Sequence, residues 1–167
     1  LREMEFNRLL SQTISFYGNN NDVEKKSDTN NINLKFNTTR YKSIISEKDL
    51  DDLIKELKDK SEISVDTETT SLDPLCANLI GISFCTSVNE AYYIPVGHKN
   101  FKNLDKELVL KKIKPLLEDR SIKKIGQNIK YDFIILQKNG IKINPVDDTM
   151  LLSYVLDAGK NRHNMDT

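Results

Sequence analysis

The chain lacks several features that would assign it to a class at once. Its 167 residues carry 25 basic and 25 acidic side chains, so the formal net charge is zero. The overall charge therefore does not indicate a nucleic-acid-binding protein. A polyanion would have to bind to a local basic patch or through metal ions. There is no run of about 18 apolar residues and no signal-peptide pattern, so nothing suggests export or membrane insertion.

Cysteine is also scarce. Cys76 and Cys85 have no CxxC spacing and form no disulfide framework. We interpret them as reduced, buried thiols of a cytoplasmic bacterial protein or an organellar one. The length suits one domain with a sizeable core and is too short for two large ones.

Two acids follow a short strand of β-branched residues near the middle of the chain. Alternate side chains of a strand point to the same face, so Asp66 and Glu68 can present both carboxylates to one spot. Like charges this close repel each other unless a cation lies between them, and hard oxygen ligands suit a divalent metal. The D-x-E pattern alone also occurs on many solvated strand edges, so it needs support from further acids.

The hydrophobic spacing predicts an α/β or α+β fold. Three strands, near residues 62–67, 79–85 and 91–96, can form an antiparallel meander, and alternating helices and strands follow them. The predicted helices cover residues 48–59, capped by Ser46, then 105–118, 128–139 and 146–156. Two further strands are predicted at 41–45 and 122–126. In the helix over 128–139, the expected buried residues are Ile129, Phe133, Ile134 and Leu136, and Gly140 closes the helix.

A third acid, Asp132, lies one turn inside a helix that starts at the end of a strand. Strand ends and helix N-termini gather at one rim of such a sheet, where Asp66 and Glu68 would also emerge. A third carboxylate at that rim is what a two-metal phosphoryl-transfer site needs. A solvated helix acid is the alternative interpretation of Asp132.

Several segments occur here in the order found in one known family. Between them they span residues 66–166, and they read DTET with SL, NLIGISF, YYIPVGH, GQNIKYD, DTML and GKNRHNMD. In these motifs the chain closely resembles the 3′→5′ proofreading exonuclease domain of family A DNA polymerases, a member of the DnaQ-like DEDD superfamily. The resemblance implies an RNase H-like mixed sheet flanked by helices. It also divides the chain into a helical tail of a preceding 5′-nuclease-like domain (1–18), a flexible linker (19–37) and the exonuclease domain (38–167).

The same resemblance assigns roles to individual residues. Asp66 would bridge two metal ions, Glu68 would bind the ion that activates water, and Asp132 would hold the other ion mainly through water. The ions would be Mg²⁺ or Mn²⁺, with Zn²⁺ as an alternative in one site. The residues expected to contact the DNA 3′ end are Thr69, Leu72, Gln127, Asn128, Tyr131 and Arg162.

One motif of the family is not matched. Its third motif, Tyr-x-x-x-Asp, lies downstream of the last matched segment, and Tyr154 to Asp157 is one residue short of that spacing. We therefore expect a C-terminally incomplete domain in which Tyr154 belongs to the core. Asp147, Asp148 and Asp166 are interpreted as capping or surface acids.

The resemblance predicts metal-dependent hydrolysis of the 3′-terminal phosphodiester of single-stranded or frayed DNA. Its expected partners are a single-stranded 3′ end and covalently linked polymerase and 5′-nuclease domains, with no membrane. A catalytically inactive domain that supports the polymerase is one alternative. An RNA-processing exonuclease of the RNase D kind is another, and it fits the YIPV and RHNMD segments less well.

Overall fold

The computed structural model of the protein describes residues 40–157 and His163. The predicted helical tail, the linker and Arg162 lie outside the described residues. The elements run in the order β1 (Arg40–Ser43), α1 (Glu47–Lys58), β2 (Glu62–Thr69), β3 (Leu79–Ser87), β4 (Glu90–Pro95), α2 (Lys106–Leu117), β5 (Lys123–Gly126), α3 (Lys130–Lys138), β6 (Val146–Asp148) and α4 (Thr149–Asp157).

The strands form one mixed sheet in the order β1-β4-β3-β2-β5-β6. β2, β3 and β4 form the expected antiparallel meander, while β1, β5 and β6 join their neighbours in parallel. Parallel neighbours need a crossover, and α2 supplies the one from the meander to β5. The predicted α/β mixed sheet flanked by helices is therefore confirmed.

The hydrophobic core lies on one face of β2. Ile63, Val65 and Thr67 of this strand are buried, whereas the alternate residues Ser64, Asp66 and Glu68 are exposed. The period of two thus separates a core-facing side from a side that carries the acids. The core is completed by the apolar faces of α1 and α2, with Leu50, Leu53, Ile54 and Leu57 from the first and Val109, Leu110, Ile113, Leu116 and Leu117 from the second.

Helix α3 differs from its prediction in its first residue and in its buried face. It begins at Lys130 because Asn128 takes a left-handed conformation, with φ of 53°. Its buried side chains are Asp132, Ile135 and Leu136. This i, i+3, i+4 set leaves Phe133 37% exposed and Ile134 only half-buried, so both were wrongly expected to be buried.

Three smaller expectations are also wrong. Residues Val146–Asp148 form a strand rather than a first helical turn, because they pair in parallel with β5. Tyr154 is 51% exposed, and α4 has no buried residue among those that the structure describes. Cys76 is exposed and Cys85 is half-buried, so neither is the fully buried thiol that was expected.

Within residues 40–157, no helix is both long enough and apolar enough to cross a bilayer.

Candidate nuclease site

The two strand acids lie on the open face of the sheet, near the end of β2. Asp66 is paired with Ser83 of β3, and Glu68 is paired with Gly81. The ring of Tyr93 covers Gly81 so closely that a Cβ there would lie 1.8 Å from the tyrosine hydroxyl oxygen. Glycine at this position therefore lets the tyrosine ring lie flat on the sheet, on the side that carries Glu68. Burial raises the pKa of Tyr93, and the negative charge of Glu68 raises it further.

The third acid is held by the strand that carries the other two. Asp132 is 3% exposed, and its Oδ1 accepts hydrogen bonds from the backbone N–H of Thr67 at 2.8 Å and from the Thr67 hydroxyl at 2.5 Å. Pairing of β2 with β5 stops at Ser64, so the Thr67 N–H has no ladder partner on that edge and the carboxylate takes its place. Sequence reasoning missed Thr67, because strand alternation marks it as buried without indicating its partner.

A fourth acid, Asp148, organises the turn before α3. Its carboxylate accepts hydrogen bonds from the backbone N–H groups of Asn128 at 3.0 Å and Ile129 at 3.1 Å. The same carboxylate caps α4 through the N–H of Met150 at 2.9 Å. The prediction that Asp148 acts as a cap is confirmed, and it caps two segments at once.

The three acids predicted as metal ligands and most of the predicted DNA-contacting residues line one cleft of about 550 Å³. Leu72 stands at its edge with 97% of its surface exposed. The set that lines the cleft includes Asp66, Glu68, Thr69, Leu72, Gln127, Asn128, Tyr131 and Asp132. The structure therefore brings together every predicted site residue except Arg162, which lies outside the described residues.

Hydrogen bonds order the side chains at the rim of this cleft. The Tyr131 hydroxyl donates to the carbonyl oxygen of Ser71 and also contacts the Thr69 hydroxyl. Thr69 in turn donates to the same Ser71 carbonyl at 3.1 Å. Gln127, which also lines the cleft, donates from its side-chain amide to the carbonyl of His163 at 2.9 Å. The rim is thus built by contacts between residues far apart in the chain.

The carboxylates affect each other's ionisation. Partial burial, followed by the charges of Asp132 and Glu68, raises the pKa of Asp66 to about 6. Burial also raises the pKa of Asp132, although the two hydrogen bonds from Thr67 oppose that rise. The cleft therefore concentrates negative charge whose repulsion a bound cation would relieve.

The donor set suits a hard divalent cation, but only part of a metal site is assembled. Carboxylate oxygens are the ligands that Mg²⁺ and Mn²⁺ prefer. Within residues 40–157 and His163, however, no group of three or more Asp, Glu, His or Cys side chains converges closely enough to bind an ion directly. Asp66 and Glu68 could serve as direct ligands of a cation, whereas Oδ1 of Asp132 is already engaged by Thr67.

The mixed sheet and the cleft of carboxylates define a nuclease-type α/β domain. Its fold is similar to that of Trypanosoma brucei RNase D, with a TM-score of 0.59 at 18% identity over 69% of this chain and 40% of that one. It is also similar to Brucella melitensis NrnC with bound Mg²⁺, with a TM-score of 0.56 at 21% identity over 75% of this chain and 55% of that one.

The chain belongs to the 3′-5′ exonuclease family whose pattern matches residues 41–167. It is 42% identical over 132 residues to DNA polymerase I of Borreliella burgdorferi, covering 78% of this chain and 14% of that protein. It is 38% identical over 153 residues to DNA polymerase I of Rhizobium leguminosarum, covering 80% of this chain and 15% of that protein. The resemblance to the exonuclease of family A DNA polymerases is confirmed, and the chain spans about 15% of these relatives.

Proposed function

We propose that the chain is the 3′→5′ exonuclease domain of a DNA polymerase I. It would hydrolyse the 3′-terminal phosphodiester of single-stranded or frayed DNA and release a 5′-mononucleotide during proofreading. The observation that carries this proposal is the single cleft lined by Asp66, Glu68, Asp132 and the exposed Leu72. Membership of the 3′-5′ exonuclease family supports the direction of cleavage.

The carboxylates of this chain would hold the metal ions. Asp66 and Glu68 are the direct ligands in this proposal, and Asp132 acts mainly through water. Two divalent ions, Mg²⁺ or Mn²⁺, would supply an activated water and neutralise charge on the leaving oxygen, as in other two-metal sites. The bound Mg²⁺ of the structurally similar NrnC supports the choice of a hard cation, and Zn²⁺ remains the alternative in one site.

The cleft wall would hold the terminal nucleotide without reading its base. Leu72 offers an apolar surface to the base, while Thr69 and Tyr131 fix the backbone beside it. Gln127 and Asn128 would line the path of the single strand, and Arg162 would lie near its phosphates by the family resemblance. Apolar and phosphate contacts tolerate any sequence, as the removal of any mispaired nucleotide requires.

Two other functions remain as rivals. A domain that only supports the polymerase would need no cation, and the gathering of Asp66, Glu68 and Asp132 in one cleft argues against it. An RNase D-like enzyme would share the fold and the acids but act on RNA. The identity to bacterial DNA polymerases favours the DNA enzyme, linked to a polymerase in a bacterial cytoplasm or an organelle.

A direct test compares the degradation of single-stranded DNA and RNA by the full-length protein with Mg²⁺ or Mn²⁺. We expect stepwise 3′→5′ loss of DNA that falls by about 10²-fold or more in Asp66→Ala, because the metal ligand is removed. Asp52→Ala, which removes an exposed acid on α1, is the matched control and should leave the rate unchanged. Preferred degradation of RNA would support the RNase D-like rival, and equal rates in Asp66→Ala and the wild type would refute the assignment.

A further inference from the structure

The loop that carries Leu72 folds into a single helical turn. This segment, residues 70–78, is called the Leu72 loop below. The carbonyl oxygen of Asp73 accepts hydrogen bonds from the N–H of Cys76 at 3.2 Å and of Ala77 at 2.9 Å, and its carboxylate accepts the N–H of Leu75 at 2.9 Å. A turn of this kind satisfies its own N–H groups but leaves carbonyl oxygens at its C-terminal end in need of donors.

One lysine supplies those donors. The ammonium group of Lys138, the last residue of α3, donates to the carbonyl oxygens of Pro74 at 2.8 Å, Leu75 at 2.7 Å and Ala77 at 2.9 Å. An ammonium group has three protons, so each proton has a partner within this one loop. A cation at the carbonyl end of a helical turn is also electrostatically favourable.

The Leu72 loop is therefore attached to α3 at two points. The Tyr131 hydroxyl holds the Ser71 carbonyl on one side of Leu72, and Lys138 holds the turn on the other. Tyr131 and Lys138 are seven residues apart, which places them about two turns apart on one face of the helix. Asp132 lies on the same helix, so α3 links the position of Leu72 to that of the third acid.

We propose that Lys138 is a positioning residue for the exonuclease reaction, because it holds Leu72 at a set place relative to the carboxylates. The inference rests on the proposed function, in which Leu72 contacts the terminal nucleotide. Leu72 is 97% exposed and has no packing of its own to fix its place, so its position depends on how the backbone of the loop is held. A loop attached at one point only would let the terminal base shift relative to the metal ligands.

The alternative is that Lys138 only stabilises the fold. The side chain of Lys138 is exposed, and water can replace it at the exposed carbonyl groups of Pro74 and Leu75. The third carbonyl belongs to the buried residue Ala77, so thermal unfolding is needed to measure the loss of stability. A positioning role predicts that the effect of Lys138 on turnover depends on Leu72, whereas a general role in stability does not.

The test is a double-mutant cycle in the full-length protein on a single-stranded DNA substrate. Lys138→Met keeps the aliphatic stem and removes the ammonium group, and Leu72→Ala removes the exposed apolar surface. Lys111→Met, an exposed lysine on α2, is the matched control. Lys138→Arg keeps a charged donor and serves as the conservative variant. Turnover, KM and Mn²⁺ affinity are measured for each variant, with thermal unfolding as a check on folding.

We expect Lys138→Met to lower kcat by about tenfold with unchanged Mn²⁺ affinity, since a small misplacement of a bound substrate can cost up to about 10²-fold. In the Leu72→Ala background the same substitution should have little further effect, and Lys138→Arg should restore much of the rate. Equal losses from Lys138→Met in both backgrounds, or an unchanged kcat, would overturn the positioning role. If Leu72→Ala alone left turnover unchanged, the role of Leu72 in the proposed function would fail, and with it the basis of this inference, whereas the assignment of the carboxylates would stand.

Discussion

Thr67 donates two hydrogen bonds to one carboxylate oxygen of Asp132, from its backbone N–H at 2.8 Å and from its hydroxyl at 2.5 Å. The donor lies between Asp66 and Glu68 on β2, and the acceptor lies in the first turn of α3. This pair therefore fixes the helix acid against the strand that carries the other two acids. It also satisfies a buried carboxylate and a strand N–H that β5 does not reach.

Replacing Thr67 with valine should affect both stability and activity. Valine keeps the branched shape but removes the hydroxyl, so the buried Asp132 loses one of the groups that lower its pKa. We expect the acid limb of the pH–activity profile to move to higher pH. The free energy of unfolding should fall by about 1–3 kcal/mol at pH 8, the usual cost of removing a donor from a buried charged acceptor.

The matched control is Thr67→Ser, which retains the hydroxyl. Its pH–activity profile should stay close to that of the wild type, and its stability should fall by less than that of the valine variant. Identical pH profiles for the two variants would show that the hydroxyl does not influence Asp132.

Asp66→Asn should stabilise the metal-free protein at neutral pH. Because the pKa of Asp66 is raised to about 6 in the folded protein, against an ordinary value of 3.8, the folded state holds this proton more tightly than the unfolded state. The contribution of Asp66 to stability is fully present below about pH 4 and is lost as the pH rises through 6. The asparagine side chain does not ionise, so the variant does not lose this stability as the pH rises.

Urea unfolding in the presence of a chelator measures this difference. The gain in stability from Asp66→Asn should grow between pH 4 and pH 7 and then level off. A variant less stable than the wild type at pH 8, without metal, would contradict the raised pKa of Asp66, which burial and then the charges of Asp132 and Glu68 cause.

Metal affinity should depend on pH in the same range. A cation bound through Asp66 must displace its proton, so the apparent affinity for Mn²⁺ should fall by about tenfold for each pH unit below 6 and level off above that value. Calorimetric titration of the full-length protein from pH 5 to pH 8 measures the dependence. Asp52→Ala should follow the wild-type curve, while an affinity that is constant across this range would exclude Asp66 as a ligand.

Leu72→Ala should slow removal of the terminal nucleotide without weakening metal binding. The side chain is 97% exposed at the edge of the cleft and makes no contribution to the core. If it packs against the terminal base, its truncation should lower the single-turnover rate by about tenfold, which corresponds to a loss of about 1.4 kcal/mol of transition-state stabilisation.

Leu75→Ala is the natural comparison, because Leu75 is 73% exposed in the same loop but does not line the cleft. Its rate should equal that of the wild type. Equal slowing by both alanine variants would indicate a general effect on the loop rather than a contact with the nucleotide.

The strand period of two and the helical spacing of apolar residues predicted most of the secondary structure. The alternation along β2 separated Ile63 and Val65 from Asp66 and Glu68, because successive strand residues must face opposite sides. The helical spacing located α1 and α2 within about two residues, and Ser46 caps α1 as predicted. The order of the matched motifs identified the family, because that order can be read from the sequence without a structure.

Other features depended on contacts between distant segments. The buried face of α3 follows Asp132 and Ile135 rather than Phe133, because the helix is oriented by the bond between Asp132 and Thr67. The strand Val146–Asp148 exists only because β5 lies beside it, and three residues have no period of their own to indicate pairing.

The chemistry of the site was therefore determined by the sequence, and its assembly by the tertiary structure. The residue types and spacing of Asp66, Glu68 and Asp132 already indicated a hard cation, since ligand chemistry belongs to the side chains themselves. Only folding decides the hydrogen bonds from Lys138 to the Leu72 loop and from Thr67 to Asp132, because each joins residues more than 60 positions apart. Local propensity carries no information about such pairs, whose geometry arises when the sheet and α3 pack together.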